Sequence, residues 1–274
     1  MARLLLRGAP LADVQVVLFD KDGTLSRSEP QLLVLAKARI EACLDALLRL
    51  HPERSGAGPE LSSLLHRAYG LQEPAAAPLA PPGLRPCGAT AVGSRQHTLI
   101  STATALAQVG LGWPEALAIA ESVFNATDPL HHGPLAAPTG TTAVGPMLER
   151  LAAAGLTLAV ISNDNAAGIH HFLASLGVAQ LFHSQLWSAD DHPCKPHPDA
   201  VHGLCRRLGT EARHCALIGD ANSDLHMARQ AGVAAVIGYR SGWSQVPSLD
   251  PRYPQLNHWD ELSVALATGG TDHR

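Results

Sequence analysis

The chain has 274 residues, of which 46% are hydrophobic and only 4% aromatic, and its formal net charge is -4. That length predicts one large domain or two smaller ones with a substantial core, and the scarcity of aromatic residues favours helices packed on a sheet over an all-β sandwich. The lack of a clustered basic stretch argues against nucleic acid as the main partner, and no apolar run approaches the roughly 20 residues of a bilayer span, so neither nucleic acid nor a membrane is expected as a partner.

At the N-terminus, Leu4-Leu5-Leu6 is too short for a signal-peptide core and no small-residue cleavage site follows it. Residues 13–19 form an apolar run that stops abruptly in charged residues and glycine, the pattern of a buried strand feeding a loop at its carboxyl end. Residues 30–50 place apolar side chains at helical spacing behind Pro30, and a second helical piece covers about 59–70. Residues 73–93, rich in Pro, Ala and Gly, predict a loop or linker. Helical patterns return at 94–109 and 114–126.

Beyond Pro138 the pattern alternates. A helix over 141–154 is capped by Gly155 and followed by a strand at 156–162, a helix at 165–176, and a short apolar piece at 181–187. Then come a helix at about 197–208, a strand at 215–219, a helix at 222–231, a strand at 233–238 and a closing helix near 259–267. Continuous apolar strands alternating with amphipathic helices predict a parallel sheet covered on both faces. The run at 13–19 has the same character and belongs to that sheet. The expected division is therefore an α/β core, 1–26 and 138–274, with an α-helical cap domain over 27–137 inserted into it.

Five cysteines (Cys43, Cys87, Cys194, Cys205 and Cys215), an odd number without a C-x-x-C spacing, argue against a disulfide framework or structural zinc and for a reducing, cytoplasmic setting. The fifteen histidines show no H-x-x-x-H or H-E-x-x-H pattern, so no soft-metal site is expected.

Four short constellations sit at the ends of predicted strands, where open α/β sheets bind ligands. The first is Asp20-Lys21-Asp22-Gly23-Thr24. Its carboxylates alternate past a strand, so one can attack phosphorus while the other handles the proton. A solvated acidic turn fits the same residues. The alternation predicts that Lys21 points away from the two aspartates. The second is Ser162-Asn163, whose hydroxyl suits a phosphate oxygen or, equally, a helix cap. The third is Lys195, a counter-charge or a plain surface lysine. The fourth is Gly219-Asp220 with Asp224, hard oxygen ligands suited to Mg2+ or, for Asp224, to a helix dipole.

In order and context, the set resembles the haloacid dehalogenase superfamily. The resemblance covers about 13–25 and 139–240 closely and 26–138 only as an inserted helical segment. It implies a Rossmann-like parallel-sheet core with an inserted α-helical cap domain. It further implies Asp20 as nucleophile, Asp22 as general acid and base, and Ser162 with Asn163 as phosphate-binding residues. Lys195 would neutralise charge, Mg2+ would be held by Asp20, Asp220 and the Asp22 backbone carbonyl, and Asp224 would order the metal's waters or bind Lys195. Asp22 separates the phosphatase branch from the dehalogenase branch. The implied activity is hydrolysis of a small phosphorylated metabolite through an aspartyl-phosphate, with phosphoglycolate or a sugar phosphate as candidate substrates. A phosphomutase of the same fold and a non-catalytic phosphate-binding protein are the alternatives, and both monomer and homodimer stay open. Arg85, Arg95, Gln96 and His97 flank the Gly-rich stretch 88–93 and are candidates for substrate contact, with ordinary surface charge as the competing reading.

Overall fold

The computed structural model describes residues 1–72, 83–132, 139–182 and 186–266. The elements, in chain order, begin with β1 (Ala2–Leu6), β2 (Ala9–Val14), β3 (Val16–Phe19), β4 (Ser26–Arg27), α1 (Glu29–Leu50), α2 (Gly58–Tyr69), β5 (Leu71–Gln72) and β6 (Gly83–Leu84). They continue with α3 (Ala89–Val92), α4 (Arg95–Gln108), α5 (Trp113–Thr127), β7 (Thr139–Gly140), α6 (Val144–Ala153), β8 (Thr157–Ile161) and α7 (Ala166–Ser175). The last are β9 (Leu186–Trp187), α8 (Pro198–Leu208), β10 (Cys215–Gly219), α9 (Asn222–Gln230), β11 (Ala235–Tyr239), β12 (Gln255–Leu256) and β13 (Leu262–Leu266). The chain divides into an α/β unit (Met1–Arg27, Thr139–Gly242 and Ser248–Arg274) and a helical unit (Ser28–Pro138 and Trp243–Pro247).

In the α/β unit, six strands form a sheet in the order β12-β11-β10-β3-β8-β9, every neighbouring pair parallel. The strands read as unbroken apolar runs because both faces are covered. Successive side chains point to opposite faces, so each strand feeds two cores. Val17, Phe19, Leu158, Val160 and Ile218 enter one core with α6 and α7, whereas Val16, Leu18, Ala159, Ile161 and Leu217 enter the other with α8 and α9. Burying a Val, Leu, Ile or Phe side chain contributes about 1.5–3 kcal/mol.

Two departures from the sequence reading lie at the chain ends. The run predicted as one strand over 13–19 is two strands, β2 and β3, that belong to different sheets. The switch is at Gln15, whose N–H donates to His214 O (2.8 Å) and whose carbonyl accepts from Thr157 N (3.0 Å). Val14 pairs antiparallel with Ala2, while Val16 pairs parallel with Cys215. The second departure is the helix predicted near 259–267. Trp259–Glu261 is a single 3-10 turn and Leu262–Leu266 is strand β13, running antiparallel to β1 from Leu6↔Leu262 to Ala2↔Leu266. Leu262 is buried and Ser263 exposed, and β1 supplies the backbone partners that hold the segment extended. Trp259 closes the core beneath this sheet, stacked on Tyr239 with centroids 4.3 Å apart and donating from Nε1 to Thr141 Oγ1 at 2.9 Å.

In the helical unit, α1, α2, α4 and α5 pack around Ile40, Leu47, Leu65, Leu106, Ile119 and Phe124. Within this core the Tyr69 and Thr102 hydroxyls share a 2.6 Å hydrogen bond. Trp243 packs into the same core, and the Ser244 N–H (2.7 Å) and hydroxyl (2.8 Å) donate to the Glu29 carboxylate. Leu84 N also donates to Glu29, at 2.9 Å. Of the stretch 73–93 predicted as a linker, 73–82 lies outside the described residues. The rest is ordered, because β6 pairs with β5 and α3 makes one helical turn. None of the described helices is long and apolar enough to cross a membrane.

Candidate active site

The register of the parallel sheet brings the sequence motifs together. Phe19 pairs with Val160 on one side and with Ile218 on the other. Asp20, Ser162 and Asp220 therefore emerge at the carboxyl ends of three adjacent central strands, β3, β8 and β10. The chain leaves β3 for β8 on one flank and returns to β10 on the other, which opens the crevice where such sheets bind ligands.

Asp20, Asp220 and Asp224 are all buried, and one carboxylate oxygen from each lies within 4.8 Å of the other two. Asp220 follows β10, and Asp224 lies in the first turn of α9. Lys195 Nζ bridges the group, 2.6 Å from Asp20 Oδ1 and 2.7 Å from Asp224 Oδ1. Thr24 Oγ1 donates to Asp220 Oδ1 at 2.7 Å, and Thr24's carbonyl accepts from Thr141 Oγ1 at 2.9 Å. The Asp20–Thr24 turn is thus tied to both β10 and the start of α6. Gly23 takes a φ of 81° within it, a conformation that L-residues with a Cβ rarely adopt.

Burial dominates the electrostatics. It pushes the Asp20 carboxyl from an ordinary 3.8 up to about 6, with Lys195 opposing and Asp224 and Asp22 adding to the rise. Burial acts to lower the Lys195 ammonium, but Asp20 and Asp224 more than offset it and hold the proton above its usual value. Three buried carboxylates cluster here, and hard oxygen donors of this kind fit Mg2+. The donor set therefore suits a divalent cation.

Lys21 departs from the sequence expectation. It does not point away from both aspartates. Its buried Nζ sits 2.6 Å from Asp22 Oδ1 and 3.1 Å from Asp164 Oδ2. Lys21 lies two residues past Phe19, the end of β3, where the chain is entering the turn at Gly23, so strict alternation no longer sets side-chain direction. Burial would lower the Lys21 ammonium, yet Asp22 and Asp164 raise it. Ser162 is buried; its N–H donates to Trp187 O at 2.9 Å and its Oγ accepts from Asp164 N at 3.1 Å. Asn163 follows it, half-buried.

The helical-unit candidates are engaged within that unit. Arg95 donates to Asp128 (2.6 Å) and Asn125 (2.9 Å). His97 closes a capping box at the start of α4, its Nδ1 accepting from Ser94 N. Arg85 donates to Arg67 O at 3.3 Å.

Sequence reasoning passed over Thr24, Lys21 and Asp164 as partners in the site. The signal for Thr24 was present in its place after Gly23. Asp164 had none, because an acidic residue two positions past Ser162 reads as a helix-start residue.

Comparison with known proteins agrees with this architecture. A 1.90 Å crystal structure described as a predicted phosphoglycolate phosphatase, from Haemophilus somnus, superposes with a TM-score of 0.62 over 91% of this chain and 97% of its own, at 20% identity. A 2-haloacid dehalogenase from Pseudomonas syringae gives 0.52 over 90% of this chain and 96% of its own, at 24% identity. Both show a shared fold. In sequence, phosphoglycolate phosphatases from Haemophilus influenzae (34% identical over 97 residues, 35% of this chain and 43% of the relative) and Colwellia psychrerythraea (31% over 121 residues, 43% and 53%) are similar. The aligned stretch spans about half the length of these curated relatives. The model of the haloacid dehalogenase-like hydrolases matches residues 14–232, from the strand that carries Asp20 to the helix that carries Asp224, and the chain belongs to that family.

Proposed function

We propose that the protein is a Mg2+-dependent phosphomonoesterase that cleaves a small phosphorylated metabolite through an aspartyl-phosphate on Asp20. The observation that carries this reading is the buried Asp20 carboxylate, held 2.6 Å from Lys195 and clustered with Asp220 and Asp224 at the carboxyl ends of the central strands.

In this reading Asp20 attacks phosphorus, forming an Oδ–P bond as the bond from phosphorus to the leaving oxygen breaks. Protonated Asp22 gives its proton to that oxygen, and the alcohol departs. A water then attacks the aspartyl-phosphate and passes its proton to the Asp22 carboxylate; the Oδ–P bond breaks and inorganic phosphate leaves. Ser162 and the Asn163 segment bind the phosphoryl oxygens. Lys195 keeps Asp20 ionised and oriented, and lowers the charge that accumulates in transfer. Asp20, Asp220 and the Asp22 backbone carbonyl would hold Mg2+, with Asp224 ordering its surroundings; when bound, the cation neutralises phosphoryl charge. The α/β unit is the catalytic core and the helical unit the cap that selects the substrate. The names of the sequence relatives point to a small acidic alkyl phosphate such as phosphoglycolate.

The test is a panel of phosphorylated metabolites and 4-nitrophenyl phosphate, with Mg2+ and with EDTA, for the wild type and Asp20→Asn. Phosphate release that needs both Mg2+ and Asp20 is expected. Undiminished turnover by Asp20→Asn overturns the assignment, and an isomeric phosphate as product identifies a mutase instead.

A further inference from the structure

We infer that Lys21 and Asp164 form a positioning pair that fixes the general acid and base, Asp22; the inference rests on the phosphatase reading above. Lys21 is 3% exposed, and its ammonium donates to Asp22 Oδ1 at 2.6 Å. A lysine with four rotatable carbons does not hold one geometry unaided, and a buried charge needs a second partner. Asp164 Oδ2, 3.1 Å away, is that partner, and the Phe172 ring on α7 lies 5.7 Å from the same nitrogen.

Asp164 is itself built in. Its Oδ1 accepts from Asn165 N at 2.8 Å, its N–H donates to Ser162 Oγ at 3.1 Å, and its carbonyl accepts from Ala189 N at 2.8 Å. Its carboxylate fills the space beside Gly168 on α7, where any Cβ would collide with it. Gly168, which has no Cβ, leaves the room that this carboxylate takes. One residue thereby touches both halves of the site: Asp164 binds Ser162 through its backbone and reaches Asp22 through Lys21. The rotation of the Asp22 carboxylate is set from β8 and α7 rather than by its own loop alone. Proton transfer needs heavy atoms at about 2.6–3.2 Å, so a swivelling Asp22 would lose the leaving oxygen.

The readout that separates positioning from mere stability is leaving-group dependence. Esters with poor leaving groups need the proton from Asp22, whereas 4-nitrophenolate departs nearly unaided. kcat and KM are measured for the alkyl phosphate that the wild type turns over fastest and for 4-nitrophenyl phosphate, with Lys21→Met, Lys21→Arg, Asp164→Asn and Asp22→Asn. Lys21→Met is expected to lower kcat on the alkyl ester by about 10²-fold, the scale of general acid catalysis, and on the aryl ester by less than about tenfold, with KM little changed. Lys21→Arg restores part of the alkyl activity. Lys21→Met added to Asp22→Asn causes no further loss. Asp164→Asn, which keeps the oxygen that caps Asn165, carries the same two-ester comparison if Lys21→Met does not fold. Equal losses on both esters, or none, overturn the inference while wild-type turnover leaves the phosphatase reading standing. A wild type inert on both esters overturns the two together.

Discussion

The Asp224 side chain occupies the space that a Cβ on Gly219 would take: the Asp224 Cβ lies 2.7 Å from that position. The last residue of β10 and the first turn of α9 approach this closely so that the Asp224 carboxylate reaches Lys195. Gly219→Ala is expected to push Asp224 off Lys195 and to weaken Mg2+ binding by about 10–100-fold, the usual effect of disturbing a ligand's supports. Activity at saturating Mg2+ falls by about 10²-fold. Isothermal titration and steady-state kinetics check the two effects, and a variant with wild-type Mg2+ affinity contradicts the assignment of Asp224 to the site.

Lys195 is the ammonium that Asp20 and Asp224 share. Lys195→Met leaves buried carboxylates without their partner, a loss of about 3–5 kcal/mol in the metal-free protein. Added Mg2+ is expected to return part of that stability, since a ligand that binds only the folded state stabilises it. Urea unfolding in EDTA and in Mg2+ measures both values. Catalysis is abolished under either condition.

In the proposed Mg2+ reading, Asp20, pushed up to about 6, is expected to give metal binding a pH dependence. A protonated carboxylate does not ligate, so apparent Mg2+ affinity weakens by about tenfold per pH unit as pH falls below about 6. Binding near that pH releases protons, which titration calorimetry in buffers of different ionisation heat detects. For the metal-free protein the folded-state value lies above the unfolded 3.8, so Asp20's contribution to stability is fullest below 3.8 and is lost as pH rises through about 6. An affinity that is flat across this window rules out Asp20 as a ligand.

Trp259 is the keystone of the terminal sheet's packing. Trp259→Ala opens a cavity beneath Tyr239 and Phe19 and is expected to cost about 3–5 kcal/mol. Trp259→Phe keeps most of the stack but leaves Thr141 Oγ1 without its indole donor, a loss of about 1 kcal/mol. Thermal unfolding distinguishes the two.

The strands that lead into Asp20, Ser162 and Asp220 are legible because a parallel strand buried on both faces reads as an unbroken apolar run, and the candidate site residue follows its end. Lys195 was legible only by its place in the order of motifs. Partners far apart in sequence were not readable: Thr24 meets Asp220 across 196 positions, a meeting that only the register of β3 against β10 brings about. The direction of Lys21 is not readable from a period of two, because that period holds only to the end of β3 at Phe19. The segment 259–267 carries apolar spacings compatible with either period, and the available edge of β1 decides between them.

Trp243–Pro247 follows a strand of the sheet yet is built into the helical unit. The helical unit is therefore not a contiguous cassette. A fragment cut at residues 28 and 138 lacks the indole that completes its core and the serine that Glu29 holds. Exchanging this unit between relatives, by recombination in evolution or by design in the laboratory, would require the five-residue piece to travel with it from a second point in the gene.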